Sequence, residues 1–250
     1  MANSGSERLK LHRRALALGG RTYTVLSPRS SSGFGFAMSS YPGAWHVVTD
    51  RAGAGLLGRL LWAMAFQRRE RTIAVIDPGL MVPNPFDADP SVPIAILNEE
   101  LGTLNRQAAD DLQAQLPYSA APAGTVVLQT RGLDAALAEG GQPERDGAPA
   151  VPDPPSEGET ASGLVIISAP PPILRAWGVR VARLGLQFNE NSDEAVLEWS
   201  GSAGEIQVLE DFEIRVVRAQ EARERLFPDR PDEDLGDEER RRVWELTRGQ

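Results

Sequence analysis

The run from Trp45 to Asp77 constrains this chain more than any other stretch. Trp45-His46-Val47-Val48-Thr49 has the composition of a buried strand. Gly53 to Arg69 reads as a helix with few polar positions in its first half, and Thr72-Ile73-Ala74-Val75-Ile76-Asp77 as a second strand stopped by Pro78-Gly79. Strand, helix and strand in such quick succession predict a βαβ unit, and therefore parallel strands with a right-handed crossover.

The alternation extends in both directions. Glu7 to Leu18 reads as a short basic helix ended by Gly19-Gly20, Thr22 to Leu26 as a strand, and Ser27 to Gly43 as a Ser/Gly-rich loop. After a Pro-rich loop, Pro78 to Pro90, come a strand at Pro93 to Leu97, an amphipathic helix at Thr103 to Leu116, a strand at Thr125 to Gln129 and a helical turn at Leu133 to Ala138. Residues 139–162 break the pattern with six acids against one Arg among Gly, Pro and Ser, and read as an acidic linker or excursion loop. Structure resumes with a strand at Leu164 to Ile167 and a helix at Ile173 to Leu184 entered through Pro170-Pro171-Pro172. Ala195 to Trp199 and Glu205 to Val217 then read as strands joined by the turn Gly201 to Gly204, followed by a mixed-charge helical tail broken at Pro228 and Pro231. The expectation is an α/β protein: a Rossmann-like, open, mostly parallel sheet in residues 1–138, the linker, and a smaller C-terminal α/β or α+β element in 163–250.

Composition removes whole classes of chemistry. With no Cys and two His among 250 residues, disulfides, thiolate zinc sites and cysteine nucleophiles are excluded, no transition-metal constellation is available, and a reducing, cytoplasmic compartment fits. Lys10 is the sole lysine. The net charge of −9 is unevenly spread: residues 1–71 carry eleven basic groups against Glu7, Asp50 and Glu70. Such a basic lobe could attract a phosphate-bearing ligand or dock a protein partner or second copy. The acidity of the whole chain argues against nucleic acid, and the apolar run Ala52 to Phe66, interrupted by Arg59, is too short to span a membrane.

Gly53-Ala54-Gly55-Leu56-Leu57-Gly58 satisfies G-x-G-x-x-G after a predicted strand and at the start of a helix. There glycines allow close approach of a phosphate to unpaired helix N–H groups, and Asp77, at the end of the second strand, is placed to accept ribose hydroxyls. The same residues do not make a working P-loop, because Arg59-Leu60 stands where Lys and Ser or Thr are needed.

Val47 to Gly58, with the helix and the strand Ile73 to Pro78 that follow, resembles the Rossmann-like Lonely Guy superfamily. That family has a strand, a glycine cluster ending in Gly-Leu-Met-Gly, a helix and a strand ending in Pro. Its second motif, Pro-Gly-Gly-x-Gly-Thr-x-x-Glu, has a partial echo in Asn98-Glu99-Glu100-Leu101-Gly102-Thr103-Leu104-Asn105-Arg106, and the resemblance covers residues 22–138. Family enzymes cleave a nucleotide N-glycosidic bond with an Arg and the final Glu of that motif. Here Arg106 occupies the Glu position and Glu99 and Glu100 replace the paired glycines, while Gly55, Gly58, Gly102 and Thr103 match. The resemblance implies a ligand-binding edge more than an activity.

Three functions follow as expectations. The leading one is a binding or sensing module for a nucleotide-like, phosphate-bearing ligand held by Gly53, Gly55, Gly58, Asp77, Gly102 and Thr103. The second is a nucleotide N-glycosidic hydrolase using Glu99 or Glu100 with Arg51 or Arg106, and the third a protein-interaction module whose glycines only pack. His46 reads as a core histidine and His12 as part of an exposed basic helix. Asp87 and Asp89 read as acids that solvate a loop rather than hold Mg²⁺, and Trp62, Trp177, Trp199 and Trp244 as core or docking aromatics.

Overall fold

The computed structural model describes residues 7–29, 34–41, 44–139, 163–186, 194–199, 204–230 and 235–248. Their strands are β1 (Arg8–Leu18), β2 (Arg21–Ser27), β3 (Phe36–Tyr41), β4 (Ala44–Thr49), β5 (Thr72–Ile76), β6 (Ile94–Asn98), β7 (Gly124–Gln129), β8 (Val165–Ala169), β9 (Glu194–Trp199) and β10 (Gly204–Leu209). The helices are α1 (Arg51–Ala65), α2 (Arg106–Ala114), α3 (Leu133–Glu139), α4 (Pro171–Leu184), α5 (Phe212–Leu226) and α6 (Asp237–Arg248). None of the described helices is long and apolar enough to cross a membrane.

The protein is mixed α/β, with a six-stranded sheet ordered β7-β1-β2-β5-β6-β8 and a four-stranded sheet ordered β3-β4-β10-β9. In the larger sheet only β2–β5 and β6–β8 are parallel; β7–β1, β1–β2 and β5–β6 are antiparallel, so it is mixed rather than mostly parallel. The cause is local. Gly19 and Gly20 hold φ of +55° and +73°, which closes β1 and β2 into a hairpin, and β5 reaches β6 through a loop with no crossover helix.

Arg8–Leu18, expected within a helix from Glu7 to Leu18, form a strand. In Arg8-Leu9-Lys10-Leu11 apolar residues recur every second position, and Leu9 and Leu11 are buried between exposed Arg8 and Lys10. Phe36–Tyr41, expected within a loop, is β3, and the run expected as one strand from Glu205 to Val217 is β10 followed by α5. From Phe212 onward burial recurs at Val216, Ala219 and Ala222, which is helical spacing. The linker residues 140–162 and most of the turn Gly201 to Gly204 lie outside the described residues.

The expected βαβ unit does not form. The strands that flank α1 belong to different sheets, β4 pairing in parallel with β10 and β5 with β2. The two halves of the chain also interleave, since β8 completes the larger sheet beside β6 and β10 sits beside β4.

Helices α1 and α4 fill the space between the sheets. One core joins Leu11, Leu26, Ile76 and Ile96 of the larger sheet to Leu57, Leu61 and Trp177 of the helices and to Phe36, Val47 and Ile206 of the smaller sheet. This placement explains why α1 is apolar almost all round: both flanks are buried. On the outer face of the larger sheet, Ala108, Ala109 and Leu112 of α2 cover Leu18, Tyr23, Val25, Ile73 and Val75. On the outer face of the smaller sheet, Phe212 and Val216 of α5 cover Ala37 and Val48.

Candidate functional site

The glycine cluster lies inside α1, and each glycine has a different environment. The Asp50 side chain caps the helix, accepting from the Gly53 amide at 2.6 Å, while Ala54 N–H donates to Asp50 O at 3.0 Å. Burial raises the Asp50 carboxyl above its ordinary value, against the Gly53 and Ala52 amides that lower it. The anion position at this helix N-terminus is thus taken by the chain's own carboxylate. A Cβ on Gly53 would fall 1.9 Å from Thr49 Oγ1.

Gly58 serves the helix pair. A Cβ there would fall 2.7 Å from Ala182 Cβ, Ala182 N and Gly178 O, and one on Gly178 would meet Gly58 O and Trp62 N at 2.9 Å. With Gly185 against Arg51 O, small residues line the α1–α4 contact along both helices. Gly55, unlike Gly53 and Gly58, has no neighbour within 4 Å of its Cβ position. Arg51 is exposed and paired with Glu210 at 2.7 Å.

The remaining expected site residues divide between two ends of the larger sheet. Asp77 follows β5, whereas Glu99, Glu100, Gly102, Thr103 and Arg106 follow β6, which runs antiparallel to β5. The two groups therefore stand about a strand's length apart, roughly 17 Å for five residues. At the β6 end, Asn98 caps a 3₁₀ turn over Glu99–Leu101, Gly102 holds φ +141°, and the Thr103 carbonyl accepts from Tyr23 Oη at 3.1 Å. Glu99, Glu100 and Arg106 are exposed.

At the Asp77 end a polar cluster assembles on the outer face, beyond the cover of α2. Ser27 is fully buried at the end of β2, opposite His12 on β1. Its hydroxyl donates to Asp77 and accepts from Arg14 Nη1 at 2.9 Å. The Arg14 guanidinium lies 4.0 Å from the centre of the Tyr118 ring, in the segment that follows α2. Burial pushes the Asp77 carboxyl above its ordinary value, while the Gly79 amide and the charges of Arg14 and His12 act to lower it. Burial, helped by the Asp77 charge, pushes the Tyr118 phenol up as well.

Two buried donors in this cluster have no hydrogen-bond partner: Arg14 Nε and Tyr118 Oη. Buried donors left unsatisfied cost about 1–3 kcal/mol each and are therefore uncommon in native structures.

Sequence reasoning identified Asp77 and missed its neighbours. Arg14 and His12 were placed on a helix, where they would not share a face with Ser27; the alternation Arg8-Leu9-Lys10-Leu11 is the signal that places them. Asp87 and Asp89, expected to solvate a loop, are buried. Asp89 accepts from Arg223 at 2.9 Å and also pairs with Arg240, tying α5 and α6 to the loop before β6. His46, expected in the core, is only half-buried and bonds to Glu205 across the parallel β4–β10 pair. Among the described residues no group of His, Cys, Asp and Glu is arranged to hold a metal ion. Comparisons with protein-family models, with curated proteins and with solved structures return no match for this chain.

Proposed function

We propose that this chain is a binding module for a nucleotide-like, phosphate-bearing ligand, seated at the Asp77 end of the larger sheet. The observation that carries the reading is the pair of buried, unpartnered donors, Arg14 Nε and Tyr118 Oη, beside a partly buried carboxylate. A phosphate offers acceptors to donors of this kind, and sugar hydroxyls offer donors to Asp77, so a ligand of this class matches the chemistry of all three groups. The site stands where the parallel strands β2 and β5 end, the edge at which open α/β sheets take ligands. Glu99 and Glu100 lie at the other end of the sheet, so the hydrolase reading does not find its two carboxylates at this site.

Thermal melting with AMP, GMP and ribose 5-phosphate tests the proposal. A ligand present at a hundred times its Kd stabilises the fold by about 2.7 kcal/mol, a rise of roughly 5–10 °C for a chain of this size. Arg14→Met and Asp77→Asn should each abolish that rise. No rise with any of the three at millimolar concentration refutes the reading.

A further inference from the structure

We propose that the outer face of β1 carries a single-stranded nucleic acid, along a phosphate track that begins at Arg14 and continues through His12, Lys10 and Arg8. The inference rests on the phosphate-binding reading of the Arg14 site and extends it from one nucleotide to a strand. These four residues occupy alternate positions of β1, so they share one face, that of Ser27 and Val25 on β2. Successive side chains on a strand face are spaced by roughly 7 Å, close to the repeat of an extended phosphodiester, so one hydrogen-bonding side chain meets each nucleotide.

The surroundings of the track favour an anion. On β7 the partners of Arg8, Lys10 and His12 are Gln129, Val127 and Thr125, all exposed and none acidic. Ser27, opposite His12, ends β2, so Arg8 and Lys10 project past that neighbour. Both are exposed and neither forms an ion pair with any described residue. Arg29, whose Nη2 donates to Thr125 Oγ1 at 3.1 Å, adds a cation beside the track. Val127, 42% exposed beside Lys10, offers an apolar contact to a base. Asp77 also faces Arg14 and His12, and its place is at the sugar of the first nucleotide. The chain's net charge of −9 is not decisive here, because at physiological ionic strength charges beyond about 8 Å are largely screened.

The test is fluorescence anisotropy with a labelled oligouridylate ten-mer over a salt series, run alongside AMP-dependent melting. The wild type should bind the ten-mer at least tenfold more tightly than AMP. Arg8→Gln/Lys10→Gln should weaken ten-mer binding about tenfold or more and reduce the slope of log K against log salt by about 1.4, the value for two phosphate contacts on a single strand. The AMP-dependent rise in melting temperature should be unchanged in that variant, which also shows that it is folded. If AMP stabilises the protein but the ten-mer binds no better, or binds equally to the double variant, the track is refuted while the single-nucleotide site stands. If neither AMP nor the ten-mer binds, both readings fall. Equal binding of a polyphosphate of matched charge, or of a duplex, also overturns the proposal, since the track would then select charge alone.

Discussion

Substituting Gly55 and Gly58 in turn by Ala distinguishes a glycine cluster that packs from one that cradles a phosphate. At Gly58 the new methyl would sit 2.7 Å from backbone atoms of α4, Ala182 N and Gly178 O, neither of which can rotate away. Relief requires α1 and α4 to separate by roughly 0.8 Å, a gap that already forfeits a quarter to a half of the dispersion energy across the contact. Overpacking of this kind costs about 1–3 kcal/mol, and backbone neighbours place Gly58→Ala at or beyond the upper end. The gain in helix propensity returns about 1 kcal/mol, leaving a net loss of about 2 kcal/mol. For a chain of 250 residues that is a fall in Tm of roughly 4–8 °C. At Gly55 nothing lies within 4 Å, so the same substitution keeps only the propensity gain and should raise Tm by about 2–4 °C. Urea denaturation and thermal melting of the two variants, with and without AMP, report both effects. A neutral Gly58→Ala refutes the packing argument, and a Gly55→Ala variant that is stable but no longer stabilised by AMP would return the phosphate to α1.

Further outcomes follow from the buried polar groups. Burial pushes the Asp87 carboxyl from its ordinary 3.8 up to about 6. The folded state therefore holds a proton that the unfolded chain releases first, and this group's stabilisation, complete below about pH 4, is lost as pH rises to about 6, roughly 3 kcal/mol in all. Asp87→Asn should flatten the urea midpoint over that window and raise it at pH 7; an unchanged pH profile refutes the assignment. Asp89→Ala removes the carboxylate shared by Arg223, 3% exposed, and Arg240, and should cost about 3–5 kcal/mol by urea denaturation, whereas a loss under 1 kcal/mol would show that α5 and α6 are held by their apolar contacts. Tyr118→Phe deletes an unpartnered buried hydroxyl, so it should stabilise the free protein by about 1 kcal/mol while weakening AMP binding. A variant that is destabilised without ligand would show the phenol to be satisfied already.

Most elements were legible because their periodicity is strong and local. The apolar runs of β5, β6 and β8 read as buried strands, and α1 and α4 as helices with their turns of entry in place. The misreadings came from residues whose role depends on partners distant in sequence. Arg13-Arg14 and the Gly19-Gly20 pair suggest a helix and its C-cap in isolation; in the fold the glycines turn a hairpin and the Arg-rich segment is pinned between β2 and β7. The glycines of α1 matched a phosphate-binding fingerprint because close approach to backbone calls for glycine whether the visitor is a phosphate or another helix. Gly178, Ala182 and Gly185, small residues at helical spacing, mark α4 as that visitor in the sequence. Asp77 was placed correctly at a strand end. What no local pattern supplied was the antiparallel turn from β5 to β6, which sends Asn98 to Arg106 to the far end of the sheet.

The parallel pairing of β4 with β10 also sets a schedule for synthesis. About 150 residues separate the two strands, so at 5–20 residues per second the ribosome takes roughly 10–30 s to deliver the partner that β4 needs. Over that interval Val47 and α1 have emerged without the strand that covers them, and so has the larger sheet's wait for β8 begun. A nascent chain of this topology is exposed to chaperones and to self-association for longer than its length alone would require, and its yield in cells should respond to translation rate over the segment between residues 50 and 203.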